Sequence, residues 1–426
     1  MAAPPDLLFL SHRMPYPPNK GDKIRAHAIL KHLSPRYRIH LGCNVDDPDD
    51  LRHADTLRKM LGGECLFLPL DRRVAGARAA LAVTRGRSLS EEYFGGRRFK
   101  NWISQVVRQH SIRRAIAFGS AMAPLVMGEP RLDVSRSILD LVDVDSDKWR
   151  QYAQATPGPR RFLYRYEAAS VARLERRAAA AFGHTVLVSP FEAATFAGMA
   201  PESAGRIVSI GNGVDLNYFQ PDRAFASPFP SGKRPIVMTG LMDYRPNIEG
   251  AQWFATQVLP NLLRTIPSLQ FFVVGANPPP GLLADMPGVT VVGRVPDMRP
   301  YLAHAEVVVA PLQIARGVQN KVLEAMAMRR PVVATTAATR ALAVTPQRHV
   351  LIEDEPDAFA DAVLRTFDPI TAAGLAFLGR RYVERHHDWS RSLADFDRLL
   401  ESGAPAPLAA PQTLPHFGLR EAAGVE

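Results

Sequence analysis

The sequence predicts an α/β protein with two doubly wound parallel sheets, one in each half of the chain. Three observations carry that prediction. Short, fully apolar runs alternate with longer helical patterns, the pattern of parallel strands covered by helices on both faces. The rhythm pauses once, near residue 205, and then restarts. The length of 426 residues exceeds what a single hydrophobic core ordinarily organises.

In order, "DLLFLS" reads as the first buried strand. A Pro/Gly loop leads to Gly21, and a helix runs through "IRAHAILKHL". "YRIHLGC", "ECLFLPL", "RAIAFGS" and "RSILDLVD" read as strands, then "YRYEAASVARLERRAAAAF" as a long helix and "HTVLVSP" as a further strand. This first domain is assigned to residues 1–204. A second, at 205–380, holds "PIVMTG", "LQFFVVG", "VTVVG", "EVVVAPL", "RPVVAT" and "HVLIE", with one helix expected across "IEGAQWFATQVLPNLLRTI". Residues 381–402 are expected to form a terminal helix packing back on the N-terminal domain, and the Pro/Ala-rich 403–426 a flexible tail.

Composition narrows the function classes. A chain with 46% hydrophobic and 22% charged residues is an ordinary folding sequence rather than a disordered one. Two cysteines, Cys43 and Cys65, make neither a disulfide framework nor a zinc site. The first apolar run is too short for a signal peptide and no long apolar segment exists, so a cytoplasmic protein is expected. The net charge of +10 is unevenly placed: residues 1–200 carry 31 Lys+Arg against 20 Asp+Glu. That excess points to an anionic acceptor or membrane surface, or more plainly to a solvated arginine-rich face. No nucleic-acid fingerprint accompanies it, and nucleic acid is not an expected partner.

The stretch "ARGVQNKVLEAMAMRRPVVAT", Ala315 to Thr335, reads as loop, helix and buried strand. A cation at a helix start opposes the helix dipole unless an anion arrives from outside. Free N–H groups near Asn320, the small Gly317 and the charge of Lys321 together suit a phosphate. Glu324, one turn further in, can accept hydrogen bonds from vicinal hydroxyls, so phosphate plus ribose implies a nucleotide. The plainer alternative is that Lys321 and Glu324 form an i,i+3 surface pair.

The ordered set "IGNGVDLNYFQP", "MTGLMDYRPNIEGAQWF", "VTVVGRVPDMRPYLAHAEVVVAPL" and "GVQNKVLEAMAMRRPVVAT" resembles the C-terminal half of family-4 glycosyltransferases of the GT-B fold. "LLFLSHRMPYPPNKGDKIRAHAILKHL" resembles the opening strand and glycine loop of that family. Within it, "HRMPYPPNKGDKIR" and "DLVDVDSDKW" are similar to the exosortase (PEP-CTERM)-associated exopolysaccharide sugar transferases. The resemblance implies two Rossmann-like domains facing across a cleft and a retaining, metal-independent transfer from a nucleotide-sugar donor. The acceptor it implies is lipid-linked or a polysaccharide, and the donor is a co-substrate, so no cofactor is implied.

At matching positions the resemblance makes Glu324 the ribose-binding acid and turns Gly317, Asn320 and Lys321 toward the diphosphate and sugar. Gly21 becomes the glycine of the N-terminal phosphate loop, with Lys20 and Lys23 adding positive potential or merely solvated. The sequence departs from the family pattern in three places. Arg316 stands where the first of two glutamates is usual; it cannot accept hydrogen bonds but its planar fork can bind phosphate. "GLMDYRPN" lacks the usual Arg and Lys, leaving Arg245 as the nearest cation for the leaving diphosphate. The usual histidine motif is replaced by "DLVDVDSDKW", where Asp143 and Asp145 can orient an acceptor or sugar hydroxyl, or simply cap a helix.

His386 and His387 are read as packing or surface groups, the histidines show no metal-ligand spacing, and no dinucleotide glycine fingerprint follows the first strand. The catalytic candidates are therefore Arg245, Lys321 and Asp143, in a transferase peripheral to the inner membrane. An epimerase or hydrolase of the same fold, and a non-catalytic nucleotide-sugar binder, are the alternatives.

Overall fold

The computed structural model describes residues 4–315 and 317–402, whose strands form two separate parallel sheets. The first holds β1 (Asp6–Ser11), β2 (Arg38–Val45), β3 (Gly62–Pro69), β4 (Ala115–Phe118), β5 (Ile138–Val142), β6 (His184–Leu187) and β7 (Ile207–Ser209), in the order β3-β2-β1-β4-β5-β6-β7. The second holds β8 (Arg234–Thr239), β9 (Leu269–Val274), β10 (Val289–Gly293), β11 (Val307–Ala310), β12 (Val332–Ala334) and β13 (Leu351–Ile352), in the order β10-β9-β8-β11-β12-β13. Both orders reverse beside the first strand of their sheet, which opens a crevice at its C-terminal edge.

The central strands read as unbroken apolar runs because both of their faces are covered. Leu7 to Leu10 of β1 are fully buried; Leu8 and Leu10 enter one core of the first domain, Leu7 and Phe9 the other. In the second domain, β8, β9, β11 and β12 share one core with the helix Asn320–Ala327, which contributes Val322, Leu323, Ala325, Met326 and Ala327.

Three details differ from the sequence reading. The first sheet runs on to Ser209, since β7 pairs with β6, so the boundary expected at 204/205 falls inside that sheet. The helix expected over 248–266 is interrupted by a π-turn at Phe254–Val258. Pro260, just beyond, has no N–H to give the carbonyl four residues back, and the turn widens there. Residues 381–386 belong to the helix Pro369–His386, which packs on Asn320–Ala327 in the second domain.

The last helix, Trp389–Ser402, buries Leu393, Phe396, Leu399 and Leu400 in the core beneath the helix Gly21–Leu33. The chain thus crosses between the domains twice, once after β7 and again before Trp389. The crossings meet where Val214 N donates to His387 O at 2.7 Å and His387 Nδ1 donates to Asn212 O at 2.8 Å. His387 also pairs with the Tyr382 hydroxyl at 3.1 Å, so it is a buried fastener between the crossings. The tail at 403–426 lies outside the described residues. Among the described residues no helix is long and apolar enough to cross a membrane.

Candidate functional site

The helix Asn320–Ala327 begins at the C-terminal edge of the second sheet and sends two of its charged side chains to different places. Lys321 is buried rather than surface-paired: its Nζ donates to Asn247 Oδ1 at 2.5 Å, and Asn247 in turn donates to Leu241 O at 2.8 Å. Gly240 makes room for this arrangement. Its φ is +151°, and a Cβ there would sit 3.1 Å from Lys321 Nζ and 2.7 Å from Asn247 Nδ2. Burial lowers the Lys321 pKa to about 8, with Glu324 opposing the fall. Its charge is therefore made costly by burial, and an arriving anion would offset that cost.

Glu324 turns instead to a cavity of about 720 Å³ between the domains, also lined by Asn320, Ile24, His27, Asp215 and Tyr218. Burial raises its pKa to about 7, against the pull of Lys321. The wall opposite Glu324 comes from the helix Gly21–Leu33 of the first domain. Gly21 is the first residue of that helix, and a Cβ on it would meet nothing within 4 Å. Packing does not demand glycine there.

The neighbouring lysines do not supply free charge. Lys23 is buried in an ion pair with Asp50, and Lys20 lies 3.6 Å from Asp46. Lys23 is therefore neither a solvated loop lysine nor an open phosphate contact.

Across the cleft, Gly317 touches the first domain. It sits at φ +60°, and a Cβ on it would lie 2.4 Å from Asp143 Oδ1. Its N–H donates to Glu192. Asp143 follows Val142, a β-branched residue held at the costly φ of +67°. Asp143 Oδ1 is buried with no hydrogen-bond partner among the described residues. Burial, then the charge of Glu192, pushes this carboxyl up to about 7.

Asp145, two residues on, has the opposite character. Burial alone would raise its pKa, but Lys148 Nζ at 2.6 Å and Ser120 Oγ at 3.2 Å keep it ionised and low. Two adjacent carboxyls with their pKa values driven apart are the usual basis for separate acid–base and electrostatic roles. Neither caps the following helix, whose N-cap is Val144 without a side-chain bond.

Sequence reasoning missed four contributors. His12, at the end of β1, lines a second cavity of about 510 Å³ with Asp143, Asp145, Lys148, Tyr93 and Phe94. It stacks on Phe118 and lies 3.2 Å from Asp22, whose carboxyl is held very low by His12 and Arg13 despite burial. This is a histidine near the expected place, but from the first strand rather than from "DLVDVDSDKW"; its position straight after a buried strand was the available signal. Lys148 was visible only as the lysine of that motif.

Arg25 had no signal. Fully buried, it bonds Asp140 Oδ2 at 2.9 Å, Ile210 O at 2.8 Å and Asn212 Oδ1 at 3.0 Å. Asn212 reaches Asn320 Oδ1 at 3.4 Å, so Arg25 connects the first sheet to the start of the donor-side helix. Asn247, the fourth, lay inside a motif quoted for its missing cations.

Arg245 is not brought to Lys321. It is exposed at the first turn of its helix and paired with Glu249 at 2.6 Å, one turn on, which captures it locally. Its neighbour Tyr244 also lies near Tyr152 across the gap, its hydroxyl raised to about 12 by burial and by that ring. Arg316 lies outside the described residues. The described His/Asp/Glu groups dense enough for a metal include only Asp6, His40 and His110, remote from this cleft at the start of β1 and β2.

Residues 233–368 match the family of Glycosyl transferases group 1, while a search of curated proteins finds no match. Among solved structures, the sucrose-phosphate synthase of Thermosynechococcus elongatus aligns at TM-score 0.67 and 17% identity, covering 93% of this chain and 98% of that one. WaaG, a glycosyltransferase involved in lipopolysaccharide biosynthesis, aligns at 0.66 and 16%, covering 93% and 100%. HepE of Anabaena, solved in complex with UDP-glucose, aligns at 0.63 and 13%, covering 93% and 99%. The chain has the GT-B fold, and its second sheet lies within the residues that match the glycosyl transferases group 1 family.

Proposed function

We propose that this protein is a retaining glycosyltransferase that moves a sugar from a nucleotide-sugar donor to a hydroxyl of a lipid-linked or polysaccharide acceptor. The observation that carries the reading is the division of labour on one helix. Lys321 points to the strand ends of the second sheet, while Glu324 faces the interdomain cavity. A nucleoside diphosphate fits that spacing, with its pyrophosphate near Lys321 and the helix N–H groups and its ribose on Glu324. HepE, of the same fold, is solved with UDP-glucose, which supports this class of donor.

Breaking the sugar–phosphate bond leaves positive charge on the ring and negative charge on the diphosphate. Lys321 gains most from that change, because its buried charge is costly until the anion forms beside it. The acceptor hydroxyl enters from the second cavity, on the same side as the departing diphosphate. Its proton passes to a leaving phosphate oxygen, or to Asp143 when that carboxyl is ionised. Asp145, held ionised by Lys148, stabilises the positive ring or orients a sugar hydroxyl. No step in this reading calls on a metal. The arginine excess before residue 200 supports an acceptor at an anionic inner leaflet, with exopolysaccharide synthesis as the setting.

The test is a thermal-shift panel of nucleoside diphosphate sugars, followed by transfer assays with membrane extract. One donor should raise the unfolding midpoint above the others, since ligand stabilisation grows with affinity. Donor binding with product only in the presence of extract supports a transferase. Steady consumption without acceptor favours the epimerase or hydrolase, and binding without any turnover favours a sensor.

A further inference from the structure

The first domain exposes apolar side chains on two helices that meet beside the second cavity. On Arg72–Thr84, Val74, Leu81 and Val83 are 56%, 53% and 45% exposed, and Val74 and Leu81 are two turns apart on one face. On Arg160–Ala181, Phe162 is 71% exposed and Leu163 47%. Tyr166 joins the two helices: its hydroxyl donates to Arg87 O at 2.8 Å and lies 3.4 Å from Ala82 O. Phe162 and Leu163 precede Tyr166 by four and three residues, and Leu81 and Val83 flank Ala82. Phe162 and Leu163 on one helix and Leu81 and Val83 on the other therefore lie within about a turn of this junction. Large apolar side chains grouped this way on a soluble surface mark a contact with something apolar.

The rim of the patch is cationic and uncompensated. Arg73, Arg85, Arg160, Arg161 and Arg165 are exposed, and none forms an ion pair among the described residues. Arg161 and Arg165, one turn apart, line a groove of about 480 Å³ with Arg150. The same helices reach the second cavity, which Ala79 and Glu167 help to line. A second copy of the chain is a poor partner for this face, because like charges would oppose each other across the contact. An acyl-chain boundary beneath anionic headgroups meets both demands, apolar groups inward and arginines at the phosphates.

We propose that Phe162, Leu163, Leu81 and Val83, ringed by these arginines, dock the first domain on an anionic bilayer with the mouth of the second cavity at the lipid surface. The proposal rests on the membrane-peripheral part of the reading above and on none of its donor chemistry.

The experiment is co-sedimentation of the full chain with vesicles of phosphatidylcholine alone, or with a third of it replaced by phosphatidylglycerol, at low and high salt. The chain should pellet with the phosphatidylglycerol vesicles at low salt, stay free of the neutral ones, and release at high salt. Phe162→Ser with Leu163→Ser should weaken binding about tenfold, and Arg160→Glu with Arg161→Glu at least as much. Both pairs are exposed, so the unfolding midpoint and the donor-induced shift should stay where they are; that shift is also the independent reading of the donor site. No pelleting, equal pelleting with neutral vesicles, or variants that bind like the parent would overturn the proposal. So would a dimer in solution that the Phe162/Leu163 variant dissolves, since the patch would then be a self-association surface.

Discussion

The two halves of the cleft, proposed to hold the donor and the acceptor, are built in opposite ways. On the donor side, one helix of eight residues carries both Lys321 and Glu324, and a single loop brings in Gly317. On the other side, His12, Ser120, the Asp143/Lys148 stretch and Glu192 come from four segments spread over 181 positions and meet only through the fold. A compact site survives as a short motif in the sequence, whereas a dispersed one depends on how strands end beside one another. The two halves also differ electrically. One side holds a buried cation whose pKa is lowered by desolvation, the other a buried acid whose pKa is raised to about 7.

The sharpest way to break this picture is at the joint between the halves. Arg25→Ala would leave Asp140 buried without its partner and cut the link through Asn212 to Asn320, costing about 3–5 kcal/mol of stability. Urea unfolding measures it; a loss under about 1 kcal/mol would mean that the halves are held by packing alone.

Next in size is Lys321→Ala, which should slow transfer about 100-fold, or about 2.7 kcal/mol of transition-state stabilisation, with a smaller effect on donor affinity. Steady-state rates with the donor found in the panel decide it. An unchanged kcat would move the leaving-group contact elsewhere.

Asp143→Asn tests the acceptor side through pH. The folded carboxyl titrates near 7, above the ordinary carboxylate range. Between about pH 4 and 7 the unfolded chain loses this proton while the folded chain keeps it, so native stability falls as pH rises through that window. The asparagine variant should therefore gain in melting temperature most at pH 8 and least near pH 4. A gain independent of pH would show that Asp143 ionises normally.

The smallest effect belongs to Arg245→Ala. Its exposed pair with Glu249 adds little to stability, and transfer should change less than about twofold. A large kinetic loss would return Arg245 to the leaving group and redraw the donor half.

The fold was legible because parallel strands buried on both faces must be continuously apolar, and both sheets contain such strands. Errors fell where local pattern is weakest: the three-residue β7 at the domain boundary, and the π-turn ahead of Pro260. In the site, Glu324, Lys321 and Gly317 could be read from one stretch, since helix polarity and glycine geometry are local properties. For Arg245, a residue one turn away, Glu249, competes with any incoming anion, and spacing alone does not rank the two partners. Arg25 was invisible because its three partners lie 115 to 187 positions away. His12 follows β1 in a loop, and only the fold brings Phe118 and Asp22 to it.

Isothermal titration of UDP-glucose, or whichever donor the panel selects, into the parent chain and Glu324→Gln tests the central claim most directly. With the ribose held by an ionised Glu324, the amide should weaken binding about tenfold or more while the unfolding midpoint of the free protein holds or rises, because a buried acid raised to about 7 is removed. Equal affinity for the two proteins would contradict the account and take the donor out of this cleft.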